Sequence, residues 1–332
     1  MLVPHIRLLA VLALAALIAV GGPAAARPLT LTATPLAPVD GAAPGTRVGP
    51  LTYLGGVVLD APEPNFGGLS GLLLRDGGRR LTAVSDAGAW LRAAVDLDAR
   101  GAPQGVSAAR MGRLRDSRSN AILNKTDGDA ESLARAAGGG LLVAFEGRHR
   151  IRSYGGPDAA ARPVPIPDAV ADAAPNKGLE AVTKLSDGRL LLIAEGGRTE
   201  SGLPAWVRAP DGGWRALTYR TRDGFSPTGA TGLPGGDALV LERKVKGLLG
   251  FRARLRRIPA TKIERGEVLD GSILATLKPP LPVDNMEGVA SVPATGGGSR
   301  LYLLSDDNFL PFQQTVLLAF RLPVETAARS RR

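Results

Sequence analysis

Asn176-Lys177-Gly178-Leu179-Glu180-Ala181-Val182-Thr183-Lys184-Leu185-Ser186-Asp187-Gly188-Arg189-Leu190-Leu191-Leu192-Ile193-Ala194-Glu195 is the stretch that decides the fold. A Gly-x-Glu-small-apolar opening leads through the turn Ser186-Asp187-Gly188 into five apolar residues that end on a carboxylate. Two short extended runs joined by a Gly-containing turn read as a β-hairpin. The run Leu190 to Ala194 is too short for a helix and suits a strand buried on both faces.

The pattern recurs four more times. Gly68-Leu69-Ser70-Gly71-Leu72 runs through a Gly-rich turn to Ala83-Val84-Ser85-Asp86, and Asp129-Ala130-Glu131 to Ala144-Phe145-Glu146. Pro227-Thr228-Gly229-Ala230 runs to Val240-Leu241-Glu242, and Asn285-Met286-Glu287-Gly288 to Leu304-Ser305-Asp306. The markers Ser70, Glu131, Glu180, Thr228 and Glu287 are separated by 61, 49, 48 and 59 residues. A hairpin repeated at that period predicts an all-β fold, a single β-propeller of four-stranded blades. Pairing the first strand, Leu51 to Leu59, with the last, Thr315 to Leu322, would close the ring and remove exposed edges. The span 47–323 divided by a blade of roughly 48 residues gives nearly six blades, the sixth divergent or shared between the termini; five is the other count the signatures allow.

Residues 1–26 stand apart: Arg7, an apolar run from Leu8 to Val20, a Gly-Gly-Pro break and Ala24-Ala25-Ala26 read as a secretory signal peptide. The run is shorter than the about 20 apolar residues of a spanning helix. The chain is therefore expected in the periplasm or outside the cell, a monomer without stable membrane insertion. Residues 27–50, rich in Ala, Pro, Thr and Gly, read as a flexible leader, 51–323 as the propeller, and 324–332 as a disordered basic tail.

Composition excludes several chemistries. The chain has no Cys and 2 His, of which His5 falls in the signal peptide. Thiolate chemistry and multi-His zinc sites are out, and a Ser-His-Asp triad would have to use His149. There is no P-loop, dinucleotide fingerprint or second Gly for a nucleophile elbow around Ser70. The net charge of +10 favours anionic partners, but aromatics are 4% and no nucleic-acid-binding signature is present, so no nucleic-acid partner is expected. The alternating Arg252, Arg254 and Arg256 read as the solvated face of an outer strand.

What recurs is carboxylate. Glu131, Glu180 and Glu287 share one repeat position, and Asp86, Glu146, Glu195, Glu242 and Asp306 share another. In a propeller equivalent positions form rings about the axis. Buried acids must be paired or hold a metal, so each either ties blades together or lines a channel mouth. An all-oxygen ligand set favours Ca²⁺ or Mg²⁺ over zinc. Cations and amides interleave with the acids: Lys125, Arg148, Lys177, Lys244, Asn176 and Asn285.

At Asn176-Lys177-Gly178-Leu179-Glu180-Ala181, Asp284-Asn285-Met286-Glu287-Gly288-Val289 and Leu304-Ser305-Asp306-Asp307-Asn308-Phe309, the sequence resembles the phytase-like propeller proteins, described as having esterase-like activity of phytase. The resemblance covers about residues 50 to 323. It implies an exported propeller and, by analogy with propeller phytases, calcium-dependent hydrolysis of a phosphate ester. The expected site has Glu180, Glu287 and Asp306 as catalytic groups, with Glu131, Glu180, Glu287, Asp306 and Asp307 as Ca²⁺ ligands. Lys177, Arg148, Lys244, Asn176 and Asn285 would hold a small anionic substrate. Carboxylester hydrolysis and a non-catalytic ligand-binding propeller are the alternatives.

Overall fold

A computed structural model describes residues 26–171, 178–247, 250–263 and 268–324. Residues 1–25 of the expected signal peptide and 325–332 of the expected tail lie outside the described residues, as do Asn176 and Lys177. Five sheets, each built on an antiparallel four-stranded blade, form five blades, the smaller of the two counts. Blade 1 runs outward through Leu69–Arg75, Arg80–Ser85, Ala89–Leu97 and Pro103–Arg113. Blade 2 comprises Ala130–Arg135, Leu141–Phe145, Arg150–Tyr154 and Arg162–Val164. Blade 3 comprises Leu179–Lys184, Leu190–Ala194, Leu203–Arg208 and Trp214–Tyr219. Blade 4 comprises Ser226–Gly232, Ala238–Lys246, Gly250–Ile258 and Ser272–Leu277. Blade 5 comprises Met286–Pro293, Ser299–Ser305 and Thr315–Leu322, and Leu51–Asp60 from the other end of the chain pairs antiparallel with Thr315–Leu322 to close it.

The missing sixth blade has a physical account. The long marker spacings arise from the eleven-residue outer strand Pro103–Arg113 and its following loop, and from an excursion in which Val268–Leu269 leaves blade 4 and pairs with Trp214–Tyr219 of blade 3. Residues 27–50 are likewise not a loose leader. Arg27–Pro28 pairs with Pro103–Arg113, Thr32–Pro35 with Leu51–Asp60, and Arg47–Val48 with the start of that same strand. Leu29, Leu31 and Ala33 alternate, and all three pack on one core cluster. This period-2 pattern lets a Pro-containing segment cover an otherwise open edge.

Five apolar clusters fill the five gaps between neighbouring blades. The innermost strands neighbour one another around the ring, and that of blade 5 returns to that of blade 1. Small residues after each marker allow this approach. A Cβ on Gly229 would lie 2.5 Å from the Glu287 carbonyl oxygen, and one on Gly288 would lie 2.8 Å from Leu72 Cβ.

The arginine alternation of Gly250–Ile258 has a different meaning from the solvated face expected. Arg254 and Arg256 are buried. Arg256 pairs with Glu242 at 3.1 Å and Asp270 at 3.0 Å, and Arg254 with Asp223 at 2.8 Å. Both faces of a blade are covered by its neighbours, so alternation marks the two faces without making one of them wet.

Candidate functional site

Each innermost strand carries a β-bulge at its marker. The ladder skips Ser70 between Leu69 and Gly71, Glu180 between Leu179 and Ala181, Thr228 between Pro227 and Gly229, and Glu287 between Met286 and Gly288. In blade 2 the register jumps from Ser132 to Ala130, passing over Glu131. A bulge frees one residue from the ladder and re-aims its side chain. The fold thus repeats one device five times. Blades 2, 3 and 5 place a glutamate on it, and blades 1 and 4 a hydroxyl.

A second tier stands beside the first. The amide of Asp86 donates to Gly68 O, that of Glu146 to Asp129 O, that of Glu195 to Gly178 O, and that of Asp306 to Asn285 O, at 2.7–3.0 Å. The matching pair in blade 4 is Arg243 with Ser226. Glu242 is one residue out of this tier. It is 0% exposed, receives Tyr219 Oη at 2.9 Å, and pairs with Arg256. The sequence repeat assigns Glu242 to the ring; the register gives that place to Arg243. The usable signal is the Ser-Asp step of Ser85-Asp86 and Ser305-Asp306, which aligns with Glu242-Arg243.

Two cations serve the edges of this acidic cluster. Lys125 Nζ lies 2.6 Å from Asp86 and 2.8 Å from Asp129, joining blades 1 and 2. Burial works to lower its pKa, but the two carboxylates win and hold it above its ordinary value. Arg243 donates to both Asn285 Oδ1 and Glu287 Oε1, joining blades 4 and 5. Asn285 in turn donates to Glu287 at 3.0 Å and Asp306 at 3.5 Å.

The acids of blades 2 and 3 lack such partners. Among the described residues no Lys or Arg pairs with Glu131, Glu146, Glu180 or Glu195. Oxygens of Asp129, Glu131 and Glu146 lie within 4.8 Å of one another, and so do those of Glu146, Glu180 and Glu195. Burial, followed by repulsion from Glu180, Glu287 and Asp129, pushes Glu131 well above the carboxylate range. Burial, followed by Glu195, Glu287 and Glu146, does the same to Glu180. Burial and then Glu287 push Asp306 up to about 8. For Glu287 burial also wins, against Arg243 and Asn285.

The geometry sorts the expected site residues. Glu131, Glu180, Glu287, Asp306 and Asn285 come together at this end of the channel. Asp307 does not join them. It accepts the Gly68 and Phe309 amides at 3.0 and 3.1 Å and the Thr315 hydroxyl at 3.1 Å, pinning blade 5 to blade 1. Arg148 is exposed and pairs with Asp127 at 3.3 Å. Lys244 donates to the Asp223 carbonyl and lies 5.8 Å from the Phe225 ring centroid. Arg243 and Asp129 are the participants that sequence reasoning did not single out. The opposite end of the channel, a cavity of ≈ 360 Å³, is lined by residues such as Leu74, Leu233 and Pro293, with Arg135 and Lys184 and no acid.

The family model described as phytase-like, esterase-like activity of phytase, matches residues 64–309. The chain belongs to this phytase-like family. No curated protein matches the sequence. Among solved structures the propeller is similar to a gluconolactonase from Xanthomonas campestris at 12% identity and TM-score 0.42, covering 91% of this chain and 99% of that one. It is also similar to a PQQ-bound aldose sugar dehydrogenase from Streptomyces coelicolor at 16% identity and TM-score 0.41, covering 79% and 97%. Likeness at this level says nothing about the chemistry of the phytase-like site. No helix among the described residues is long and apolar enough to cross a membrane.

Proposed function

We propose that this phytase-like protein hydrolyses the ester bond of a small anionic substrate, a phosphate ester, at the acidic end of its channel with the help of Ca²⁺. The observation that carries the proposal is Glu180. It is 8% exposed, lies with Glu146 and Glu195, and has no hydrogen-bond or ion-pair partner among the described residues. A buried carboxylate without a partner is costly, and an all-oxygen set of this kind suits a hard cation. Glu180, Glu131 and their neighbours on blades 2 and 3 fit that role. A bound Ca²⁺ would polarise the phosphoryl oxygen and acidify an attacking water.

The protein's own groups supply the rest. Arg243 is a planar donor beside the acids and suits bidentate capture of a phosphate. Asn285 holds Arg243 and Glu287 in one network and so fixes the direction of that donor. Asp306, pushed up to about 8, carries a proton at neutral pH. As water oxygen bonds to phosphorus and the P–O ester bond breaks, that proton passes to the leaving oxygen, and the proton lost by the attacking water is taken up by a neighbouring carboxylate of the cluster, from which Asp306 is reprotonated. The Gly178 amide donates to Glu146 at 3.0 Å and holds that acid at the entry to blade 3. The protein acts as an exported monomer, released by cleavage of its signal peptide.

The test is phosphate release from phytate and a generic phosphomonoester, with Ca²⁺ and with chelator. Release is expected only with Ca²⁺. Glu180→Gln is expected to lower kcat/KM by about 10²-fold or more, since a metal's electrostatic contribution is several kcal/mol. Folded protein that releases no phosphate under either condition would overturn the proposal.

A further inference from the structure

We infer that the acid-free end of the channel is a second binding site, for a small organic anion with an apolar body. The inference goes beyond the hydrolytic reading and does not depend on it. The repeat that carries the acids also carries this site. Four residues after the markers stand Leu74, Arg135, Lys184, Gly232 and Ser291, one to a blade. All five line the cavity of ≈ 360 Å³. A strand rises about 3.3 Å per residue, so those four residues carry each innermost strand roughly 13 Å along the channel. Blades 2 and 3, which place Glu131 and Glu180 at one end, place Arg135 and Lys184 at the other.

No acid of the chain answers these two cations. Among the described residues no Asp or Glu lines the cavity. Asp187, near Lys184 in sequence, pairs with Arg189 at 2.7 Å, and Asp76 pairs with Arg80 at 3.0 Å. Among the described residues Arg135 finds the Leu74 carbonyl as its acceptor, at 3.5 Å. Its neighbour across the gap is a further cation. Arg75, at the end of the innermost strand of blade 1, donates to the Gly140 carbonyl at 3.0 Å. Burial, followed by repulsion from Arg135, holds Arg75 below its ordinary pKa. The Ser291 hydroxyl oxygen is buried in the cavity wall without a hydrogen-bond partner among the described residues.

The rest of the wall is apolar. Leu72, Leu133, Leu185, Leu233 and Val289 come one from each blade. A concave, mostly apolar site with a few polar groups is the usual form of a small-molecule pocket. A free phosphate would leave the apolar wall wet, and a neutral apolar ligand would leave both cations unanswered. A carboxylate on a short hydrocarbon chain meets both needs. Its head pairs with Arg135 and Lys184, and its chain removes the leucines from water.

Calorimetric titration of the full chain with octanoate tests this, with 1-octanol and inorganic phosphate as the two halves of the ligand. One equivalent of octanoate is expected, bound about tenfold or more tightly than either control. The double variant Arg135→Gln/Lys184→Gln is expected to weaken octanoate about tenfold or more and to leave 1-octanol unchanged. Arg135 is exposed and Lys184 half-buried, so the variant is expected to fold, and its melting temperature checks that. Folded protein that does not bind octanoate at millimolar concentration would overturn the inference. So would octanoate bound no better than either control, or binding that the double variant leaves unchanged. Phosphate release at the acidic mouth is read separately, so the failure of one proposal is distinct from the failure of the other.

Discussion

Glu242 in blade 4 and Glu180 in blade 3 both belong to the apolar hairpins of one repeat, and both are buried. The protein treats them oppositely. Glu242 is met by Tyr219 and Arg256, and Arg256 is itself held by Asp270. Burial pushes its carboxyl up, while Arg256 and Tyr219 oppose that push. Glu180 is met by other acids, and its raised pKa has burial and repulsion as its main causes, with only Arg243 pulling the other way. The difference teaches how to tell a structural acid from a functional one in a fold that repeats both. The criterion is the partner, not the burial. A paired carboxylate ties blades 3 and 4 together. An unpaired one is pushed toward its neutral form, and can ionise freely only when something from outside the chain answers its charge.

The comparison breaks first at its structural side. Arg256→Met leaves Glu242 buried with Tyr219 and the more distant Arg254, 3.9 Å away, and is expected to cost about 3 kcal/mol of stability, the usual order for stripping one partner from a buried pair. Converting Glu242 to Met as well is expected to recover part of that loss. Urea unfolding of the two variants measures both. If Arg256→Met alone costs under about 1 kcal/mol, the pair is not the tie between blades 3 and 4.

The functional side shows itself through pH. Glu131, Glu146, Glu180, Glu287 and Asp306 all have folded pKa values raised above their unfolded ones. The native state then holds protons that the unfolded chain has released. Stability from these groups is fully present below about pH 4, the unfolded range, and is lost as pH rises through the folded values, about 8 for Asp306. In chelator the melting temperature is expected to fall between pH 5 and 8. Added Ca²⁺ is expected to flatten that slope, because it stabilises the ionised acids. A slope of the same size with and without Ca²⁺ would show that the acids of blades 2 and 3 are answered from within the chain.

Much of this contrast was legible before any coordinates. The hairpin repeat fixes the blades because period-2 apolar runs and Gly turns are local properties. The marker position proved to be a bulge in all five blades, so the ring of Ser70, Glu131, Glu180, Thr228 and Glu287 could be read by alignment alone. What could not be read was register and partnership. The end of an apolar run is a composition boundary, and in blade 4 it stops one residue short of the ladder position that faces the mouth, which hid Arg243 behind Glu242. Asp306 and Asp307 are adjacent, yet one faces Glu287 and the other accepts the Gly68 amide. Nothing in their spacing separates them. Residues 27–50 were misread for a similar reason. Their composition is that of a linker, while Leu29, Leu31 and Ala33 match an edge that only the folded ring provides.

The smallest effect is the sharpest test of register. Lys244 follows Arg243 in a strand, and successive side chains of a strand point to opposite faces. Arg243 reaches Asn285 and Glu287, so Lys244 must turn away, toward Asp223 and Phe225. Lys244→Ala is expected to change stability by no more than about 0.5 kcal/mol and KM by no more than about twofold. Arg243→Ala, by contrast, takes a donor from Glu287 and from the substrate anion, and is expected to lower kcat/KM by about tenfold or more. Steady-state kinetics on the two variants, with calcium saturating, separates them. Equal losses would mean that the cation facing the substrate is not fixed by the strand, and that the mouth draws on its rim as well as on its ring.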